Sequence, residues 1–124
     1  MNKNLEQTLI KKFPNLYKDY RGDPRTTCMC FGFEVGDGWY KIIEELSEKL
    51  EPFGIVAAQV KEKFGGLRFY IQAGNDEAFK AIQEAEDKSY ETCEVCGKPG
   101  KLRGETWLQT LCDECDNKNN DPVD

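Results

Sequence analysis

The spacing of apolar residues predicts helices at three places in this chain. Apolar side chains recur every three or four positions over residues 3 to 12, which is typical of a helix with one buried face. A second helix is predicted after Asp37, because an aspartate is a favourable N-terminal cap. Its apolar stripe consists of Trp39, Ile42, Ile43, Leu46 and Leu50. A third helix is predicted from a cap at Asn75 or Asp76 to about Thr92.

Strand patterns lie on either side of the second helix. Residues 31 to 35 alternate between apolar and other side chains, and residues 55 to 63 and 67 to 73 are also predicted to be strands. Gly65 and Gly66 join the last two segments and can supply the positive φ angles of a two-residue hairpin turn. This turn predicts the following pairs: Phe64 with Leu67, Lys63 with Arg68, Glu62 with Phe69, Lys61 with Tyr70, Val60 with Ile71 and Gln59 with Gln72.

The predicted hairpin has an apolar face and a polar face. The apolar face consists of Val56, Ala58, Val60, Phe64, Leu67, Phe69 and Ile71. The polar face consists of Gln59, Lys61, Lys63, Arg68, Tyr70 and Gln72. Antiparallel sheets commonly expose one face to water, so the polar face does not require a ligand. Alternatively, its guanidinium, ammonium, phenol and amide groups could bind a phosphate and a planar base together. The candidate ligand-binding residues are then Lys61, Arg68, Tyr70, Gln59, Trp39 and Glu34.

The order of these elements indicates an α+β protein, with a small antiparallel sheet and helices packed on one face. A length of 124 residues is sufficient for one core and one appended unit, but not for two independent domains. We therefore expect a core over residues 1 to 92, a cysteine ribbon packed on it over residues 93 to 115, and a flexible acidic tail over residues 116 to 124. Segment 14 to 30 is predicted to be a loop that packs against the core.

Two C-x-x-C pairs predict a metal site near the C-terminus. Cys93 and Cys96 form the first pair, Cys112 and Cys115 form the second, and fifteen residues separate the pairs. Paired thiolates at this spacing can point at one ion, and the spacer is long enough for a hairpin that brings the second pair opposite. The hairpin strands are predicted at residues 101 to 103 and 106 to 110. We expect one structural zinc ion per chain, and four thiolates leave it no open position at which to activate water.

The cysteines also admit other interpretations. Disulfides are disfavoured, because the N-terminal sequence lacks the apolar stretch of a signal peptide and a reducing compartment keeps thiols free. A redox-active C-x-x-C or a metal other than zinc stays open for the C-terminal pairs. Cys28 and Cys30 point to opposite sides of an extended chain, which favours one buried and one peripheral thiol over a reactive nucleophile. The chain has no histidine to serve as the base of such a nucleophile.

The charge balance disfavours nucleic-acid binding but leaves it as an alternative. The formal net charge is −6, whereas nucleic-acid affinity depends on cationic contacts to phosphate. A ribbon hairpin with Lys98, Lys101, Arg103 and Trp107 could still provide such contacts. No run of about 18 apolar residues occurs, so we expect no membrane association and a cytoplasmic protein.

Three carboxylates are the remaining catalytic candidates. Glu34, Asp37 and Glu62 lie near aromatic and cationic residues in the sequence, and a pair of them could carry out acid and base chemistry in a small nucleotide hydrolase. Helix capping is sufficient to explain Asp37, and outward alternation in a strand is sufficient to explain Glu34. We therefore assign no catalytic residue and expect a non-enzymatic protein.

Three motifs together resemble a known family. They are CMCFGFEVGDGWY at residues 28 to 40, VKEKFGGLRFY at residues 60 to 70 and CEVCGKPGKLRGETWLQTLCDEC at residues 93 to 115. Over most of its length the chain is similar to small, uncharacterised proteins carried by bacteriophages and prophages. The resemblance implies a phage accessory protein in the host bacterial cytosol. In that setting we expect a binding protein that counteracts a host defence, either by covering a host protein or by sequestering an anionic nucleotide-like signal.

Overall fold

The computed structural model describes residues 1–20, 22–25 and 27–120, and these residues form an α+β fold. The elements, in chain order, are α1 (Lys3–Lys12), β1 (Phe33–Glu34), α2 (Tyr40–Leu50), β2 (Ala57–Lys63), β3 (Gly66–Ile71), α3 (Asp76–Ser89), β4 (Lys101–Arg103), β5 (Gln109–Leu111) and α4 (Asp113–Asn120). The predicted fold class is confirmed, and α1 has the predicted boundaries.

A three-stranded sheet in the order β1-β2-β3 lies at the centre of the fold. β2 and β3 form the predicted antiparallel hairpin, whereas β1 pairs with β2 in parallel. The sheet is therefore mixed and not purely antiparallel, because α2 crosses between β1 and β2 and returns the chain in the same direction. β4 and β5 form a separate two-stranded antiparallel sheet.

The turn between β2 and β3 lies one residue earlier than the sequence predicts. Phe64 and Gly65 both have positive φ angles, 54° and 82°, which is the backbone of a primed hairpin turn. The predicted register is wrong, since Lys61 faces Arg68 and not Tyr70. Because the register moves by two positions, these side chains keep their predicted face. Phe64 is different: it leaves the apolar face, lies in the turn and is exposed.

The apolar face of the sheet forms one wall of the core. Val60, Leu67 and Phe69 are buried there as predicted, and so are all five residues of the predicted α2 stripe. An irregularity in the pairing of β2 places Ala57 in the core, where the alternation predicts Ala58. The core is therefore built between this sheet face and the helices, and the opposite sheet face carries polar side chains.

Tyr17 anchors the loop between α1 and β1 in the core. Its ring is buried and meets the ring of Phe33 edge-on, with centroids 4.9 Å apart. Its hydroxyl lies 2.6 Å from Ser47 Oγ, which in turn donates to the carbonyl of Ile43 at 2.6 Å. Burial raises the pKa of Tyr17, so the phenol stays neutral and donates to Ser47. The predicted packing of this loop is confirmed.

α3 covers the outer edge of β3. The N–H of Leu67 donates to Ser89 Oγ at 2.9 Å instead of to another strand. Ala78 and Ala85 are the buried apolar positions of α3, since small side chains let the helix approach closely. Phe79, also in α3, is 54% exposed. The predicted helix is therefore confirmed, and its two small residues face the core while its phenylalanine lies in solvent.

The two predicted helix caps have different outcomes. Asn75 caps α3 as predicted, because its side-chain oxygen accepts from the N–H of Ala78 at 2.8 Å. Asp37 does not cap α2, which begins at Tyr40 after a 3₁₀ turn. The Asp37 carboxylate accepts instead from the N–H of Asn2 at 2.6 Å. This carboxylate therefore joins the N-terminal segment to the start of α2.

Other predicted boundaries shift. Phe31 lies in a 3₁₀ turn and is exposed, so β1 is shorter than predicted. α3 ends at Ser89, and β5 begins at Gln109. The predicted flexible tail is helical over residues 116 to 120, while residues 121 to 124 lie outside the described part of the chain. Within the described residues, no helix has the length and apolar content that a membrane span requires.

The Tyr17–Ser47 contact predicts an ordered series of stabilities in urea unfolding. Ser47→Ala leaves the buried Tyr17 hydroxyl without its partner and should lower the free energy of unfolding by about 2 kcal/mol. Tyr17→Phe removes the hydroxyl itself and should cost about 1 kcal/mol. The double variant should therefore be more stable than Ser47→Ala alone. A double variant with a lower free energy of unfolding than Ser47→Ala would contradict this assignment.

Candidate metal centre and polar sheet face

The four predicted cysteine ligands converge on one point. The Sγ atoms of Cys93, Cys96, Cys112 and Cys115 all lie within 4.8 Å of one another, and those of Cys96 and Cys112 are 3.5 Å apart. A tetrahedral ion with metal–sulfur bonds of about 2.3 Å requires sulfur atoms about 3.8 Å apart. The cluster therefore fits a single metal ion, and the predicted metal site is confirmed as a group of residues.

The ribbon, residues 93 to 115, builds this cluster from both ends of one hairpin. Cys93 and Cys96 precede β4, Cys112 follows β5, and Cys115 lies in the first turn of α4. The N–H of Gly97 donates to the carbonyl of Cys93 at 3.0 Å, which closes the first knuckle. Gly97 has φ 81°, a backbone conformation that favours glycine. Gly97 therefore allows the tight turn that follows the second thiol.

The thiols of the cluster differ in how readily they ionise. Burial disfavours ionisation of Cys93, but backbone N–H groups, led by that of Cys112, outweigh it and lower the pKa of Cys93. Burial and hydrogen bonds with the other thiols raise the pKa of Cys115. A divalent cation held by the four sulfurs would stabilise the thiolate form of each.

The first knuckle lies directly on the loop that precedes α2. The N–H of Gly38 donates to the carbonyl of Glu94 at 2.7 Å, and the N–H of Gly36 donates to Glu94 Oε2 at 2.9 Å. A Cβ atom at Gly38 would overlap the carbonyl oxygen of Cys93, and one at Gly36 would overlap that of Glu94. The close approach of the ribbon therefore requires glycine at both positions, whatever backbone turn they form.

The second contact joins β5 to the hairpin turn. Thr110 is buried, and its Oγ1 donates to the carbonyl of Gly65 at 2.6 Å. Leu102 lies against the same turn, where it would overlap a Cβ atom at Gly65. Trp39 holds the chain just before the ribbon, since its indole N–H donates to the carbonyl of Thr92 at 2.9 Å. The ribbon is thus held by the loop after β1 and by the turn between β2 and β3.

The open face of the central sheet brings five of the six candidate ligand residues together. Glu34, Lys61 and Arg68 lie side by side across β1, β2 and β3. Gln59 and Tyr70 form the next cross-strand pair. Lys61 Nζ lies 6.0 Å from the centroid of the Tyr70 ring. We call these five residues the polar sheet face.

Two of the candidate ligand residues have structural partners. Arg68 Nη1 lies 2.9 Å from Glu86 Oε1 and donates to the Tyr90 hydroxyl at 3.3 Å, so its guanidinium joins β3 to α3. Trp39 is fully buried, forms a hydrogen bond with the carbonyl of Thr92 and does not lie on the polar sheet face. These contacts account for Arg68 and Trp39 without a ligand. Lys61, Tyr70, Gln59 and Glu34 remain available on the open face.

The three carboxylates considered for catalysis do not form a pair. Glu62 Oε2 accepts from the N–H of Gly65 at 2.7 Å and stabilises the hairpin turn. Asp37 is bonded to the N–H of Asn2. Glu34 is aligned with Lys61 across the strands, so it lies on the opposite sheet face from Glu62. The hydrolase alternative therefore lacks the arrangement that two-carboxylate chemistry requires.

The ribbon cations predicted for nucleic-acid binding are largely neutralised. Lys98 Nζ lies 3.2 Å from Glu114, and the Arg103 guanidinium lies 2.6 Å from Asp113 and 3.0 Å from Asp116. Arg103 also donates to the carbonyl of Leu111. Lys101 and Trp107 are exposed. Two of the three cations therefore close the ribbon onto α4, which weakens the nucleic-acid alternative.

Cys28 and Cys30 lie outside the metal cluster, next to the start of β1. Cys28 is exposed and Cys30 is half-buried. Burial and the neighbouring Cys28 thiol raise the pKa of Cys30, which makes its thiolate less accessible. Cys30 therefore lacks the environment that activates a cysteine nucleophile.

The close approach at Gly38 predicts a substitution effect on metal affinity. Gly38→Ala should cost about 3 kcal/mol in the free energy of unfolding and weaken metal binding about tenfold or more, because the ribbon must move away from the body. Gly54→Ala is the matched control: Gly54 has φ 69° but no neighbouring atom within 4 Å. It should cost about 1–2 kcal/mol with no change in metal affinity. Chelator competition with cobalt(II) measures both affinities, and equal losses would refute the docking argument.

Comparisons with known proteins give no match for this chain. No protein-family model matches it. The searches of curated proteins and of solved structures give no match either.

Proposed function

We propose that this chain is a non-enzymatic binding protein, folded around one structural zinc ion, whose ligand meets the polar sheet face. The observation that supports it is the docking of the ribbon on both turns that border this face. Gly36 follows Glu34 by two residues, and Gly65 lies between Lys61 and Arg68 in the hairpin. An ion bound in the ribbon thus stabilises the two backbone segments that position the row Glu34, Lys61 and Arg68.

Zinc is the metal that this donor set favours. Four thiolates at tetrahedral spacing are typical of structural zinc sites, and soft sulfur ligands exclude magnesium and calcium. The four sulfurs fill every position of a tetrahedral ion. The ion therefore contributes folding energy, and the chemistry of recognition falls to the side chains of the body.

The polar sheet face suits an anionic, planar ligand. Among the described residues, no carboxylate oxygen lies within 4.0 Å of Lys61 Nζ, so this ammonium group is free to meet a phosphate. The exposed Tyr70 ring offers a stacking surface beside it, and the Gln59 amide supplies a donor and an acceptor. A nucleotide combines these features. In the phage setting that the sequence resemblance implies, sequestering such a signal, or covering a host protein, would counteract a host defence in the bacterial cytosol.

The zinc proposal is tested by native mass spectrometry and chelation of the same protein. The mass should include one zinc ion per chain. In a Trp107→Phe background Trp39 is the only tryptophan, and its indole is buried beside the ribbon. Removal of the ion should unfold the body and shift the Trp39 emission towards that of an exposed indole. A zinc-free mass, or Trp39 emission unchanged after chelation, would overturn the proposal.

The ligand proposal is tested by titration calorimetry with a panel of linear and cyclic nucleotides. Lys61→Met keeps the apolar stem but removes the ammonium group, so it should weaken binding about tenfold or more without lowering the melting temperature. Lys80→Met is the control, because Lys80 is an exposed lysine on α3, away from this face. Lys61 is a sharper test than Arg68, whose removal also leaves Glu86 unpaired. Binding that is equal in the two Lys variants, or absent from the wild type, would contradict the nucleotide assignment.

A further inference from the structure

Phe64 occupies a position where the fold disfavours it. It has φ 54°, and it is the only residue other than glycine with a positive φ among those that the structure describes. Asparagine, aspartate and glycine are the residues that suit this position of a primed hairpin turn. The Phe64 ring is also 61% exposed, so burial does not compensate for the strained backbone. A strained, exposed phenylalanine is therefore unexplained by stability alone.

Apolar and cationic groups surround this ring. Leu102 is 44% exposed and lies against Gly65, the next residue in the turn. Lys63 Nζ lies 5.5 Å from the centroid of the Phe64 ring. Among the described residues, no carboxylate oxygen lies within 4.0 Å of that ammonium group. We call Phe64, Leu102 and Lys63 the tip surface.

The start of β5 also touches this turn. The backbone nitrogen of Gln109 would lie 3.4 Å from a Cβ atom at Gly65. Trp107 is 77% exposed, but it lines a groove with Arg103 and Asp116, on the side of β4 and β5 opposite to Leu102. The tip surface therefore carries one aromatic ring and one aliphatic side chain in solvent.

We propose that the tip surface is a docking site for an acidic segment of a partner protein, with an aromatic or leucine side chain as its anchor. Phe64 and Leu102 provide the apolar contact, and the unpaired Lys63 ammonium group selects negative charge. This inference goes beyond the nucleotide proposal, because it uses residues outside the polar sheet face. It assigns the chain a second binding surface at the junction of its two parts.

The chemistry of the tip surface favours protein over single-stranded nucleic acid. An aliphatic side chain such as Leu102 offers no ring on which a base can stack. The net charge of −6 repels a polyanion at long range, whereas a short acidic segment needs only a local cation. Lys98 and Arg103 of the ribbon are already paired with carboxylates. Lys101 is exposed, but it alternates to the side of β4 opposite to Leu102. The tip surface therefore has one ammonium group of its own, that of Lys63, which suits a short acidic segment better than a phosphate backbone.

The test uses a displayed library of random peptides selected against the full-length protein. The Phe64→Asn variant serves as counter-selection, because asparagine suits a positive φ and should preserve the turn. Its melting temperature should equal or exceed that of the wild type. The enriched peptides should combine aspartate or glutamate with an aromatic residue or leucine. Their affinity for Phe64→Asn should be about 30-fold lower or more, as for truncation of an interface hot spot.

Matched controls separate this surface from other exposed groups. Phe79 is an exposed phenylalanine on α3, and Phe79→Ala should leave peptide affinity unchanged. Phe64→Asn should bind nucleotides with the wild-type affinity. The peptide experiment and the nucleotide experiment therefore test the two surfaces independently. Absence of enrichment, enrichment of peptides without acidic residues, or equal affinity for Phe64→Asn would overturn the inference. Oligothymidylate binding that Phe64→Asn abolishes would also overturn it, in favour of nucleic acid.

Discussion

The whole arrangement depends on backbone contacts between ribbon and body that are too close for side chains. The carbonyl oxygens of Cys93 and Glu94 occupy the space that a Cβ atom at Gly38 or Gly36 would need. At the other end of the ribbon, Leu102 occupies the corresponding space at Gly65. Because these contacts involve the main chain, neither part can shift without breaking hydrogen bonds that are buried or half-buried. The ribbon is thereby a structural part of the body.

Because of these contacts, a metal ion bound by the four sulfurs would also stabilise residues distant from them. An ion that binds only the folded ribbon adds its binding free energy to folding, about 2.7 kcal/mol when its free concentration is 100 times the dissociation constant. Single domains have net stabilities of about 5–15 kcal/mol, so this contribution is large. Trp39, just before α2, donates to Thr92, the residue before Cys93, and the hairpin turn accepts from Thr110 of the ribbon. Loss of a bound metal ion would therefore destabilise the central sheet as well as the cysteine turns.

Local patterns account for what the sequence predicts correctly. The three main helices, the two faces of the hairpin and the ligand set Cys93, Cys96, Cys112 and Cys115 each follow from spacing within a short segment. The predicted position of the hairpin turn is wrong because either of two adjacent glycines suits a turn, and only tertiary contacts distinguish them. Gly66 lacks a side chain because Tyr90 fills that space, which leaves the turn to Phe64 and Gly65. The Arg68–Glu86 ion pair likewise cannot be predicted from the sequence, since no local pattern indicates that β3 and α3 lie together.

Ser89 closes the outer edge of β3 to an added strand. An unpaired strand edge is a template for strand addition, including self-association through edge pairing. By accepting the N–H of Leu67, Ser89 removes a hydrogen bond that an incoming strand would need there. At the opposite edge, the N–H of Phe33 in β1 donates to Glu6 Oε1 at 2.9 Å, and its carbonyl accepts from the amino group of Met1 at 3.0 Å. Growth of the central sheet at either of these positions therefore requires an existing hydrogen bond to break.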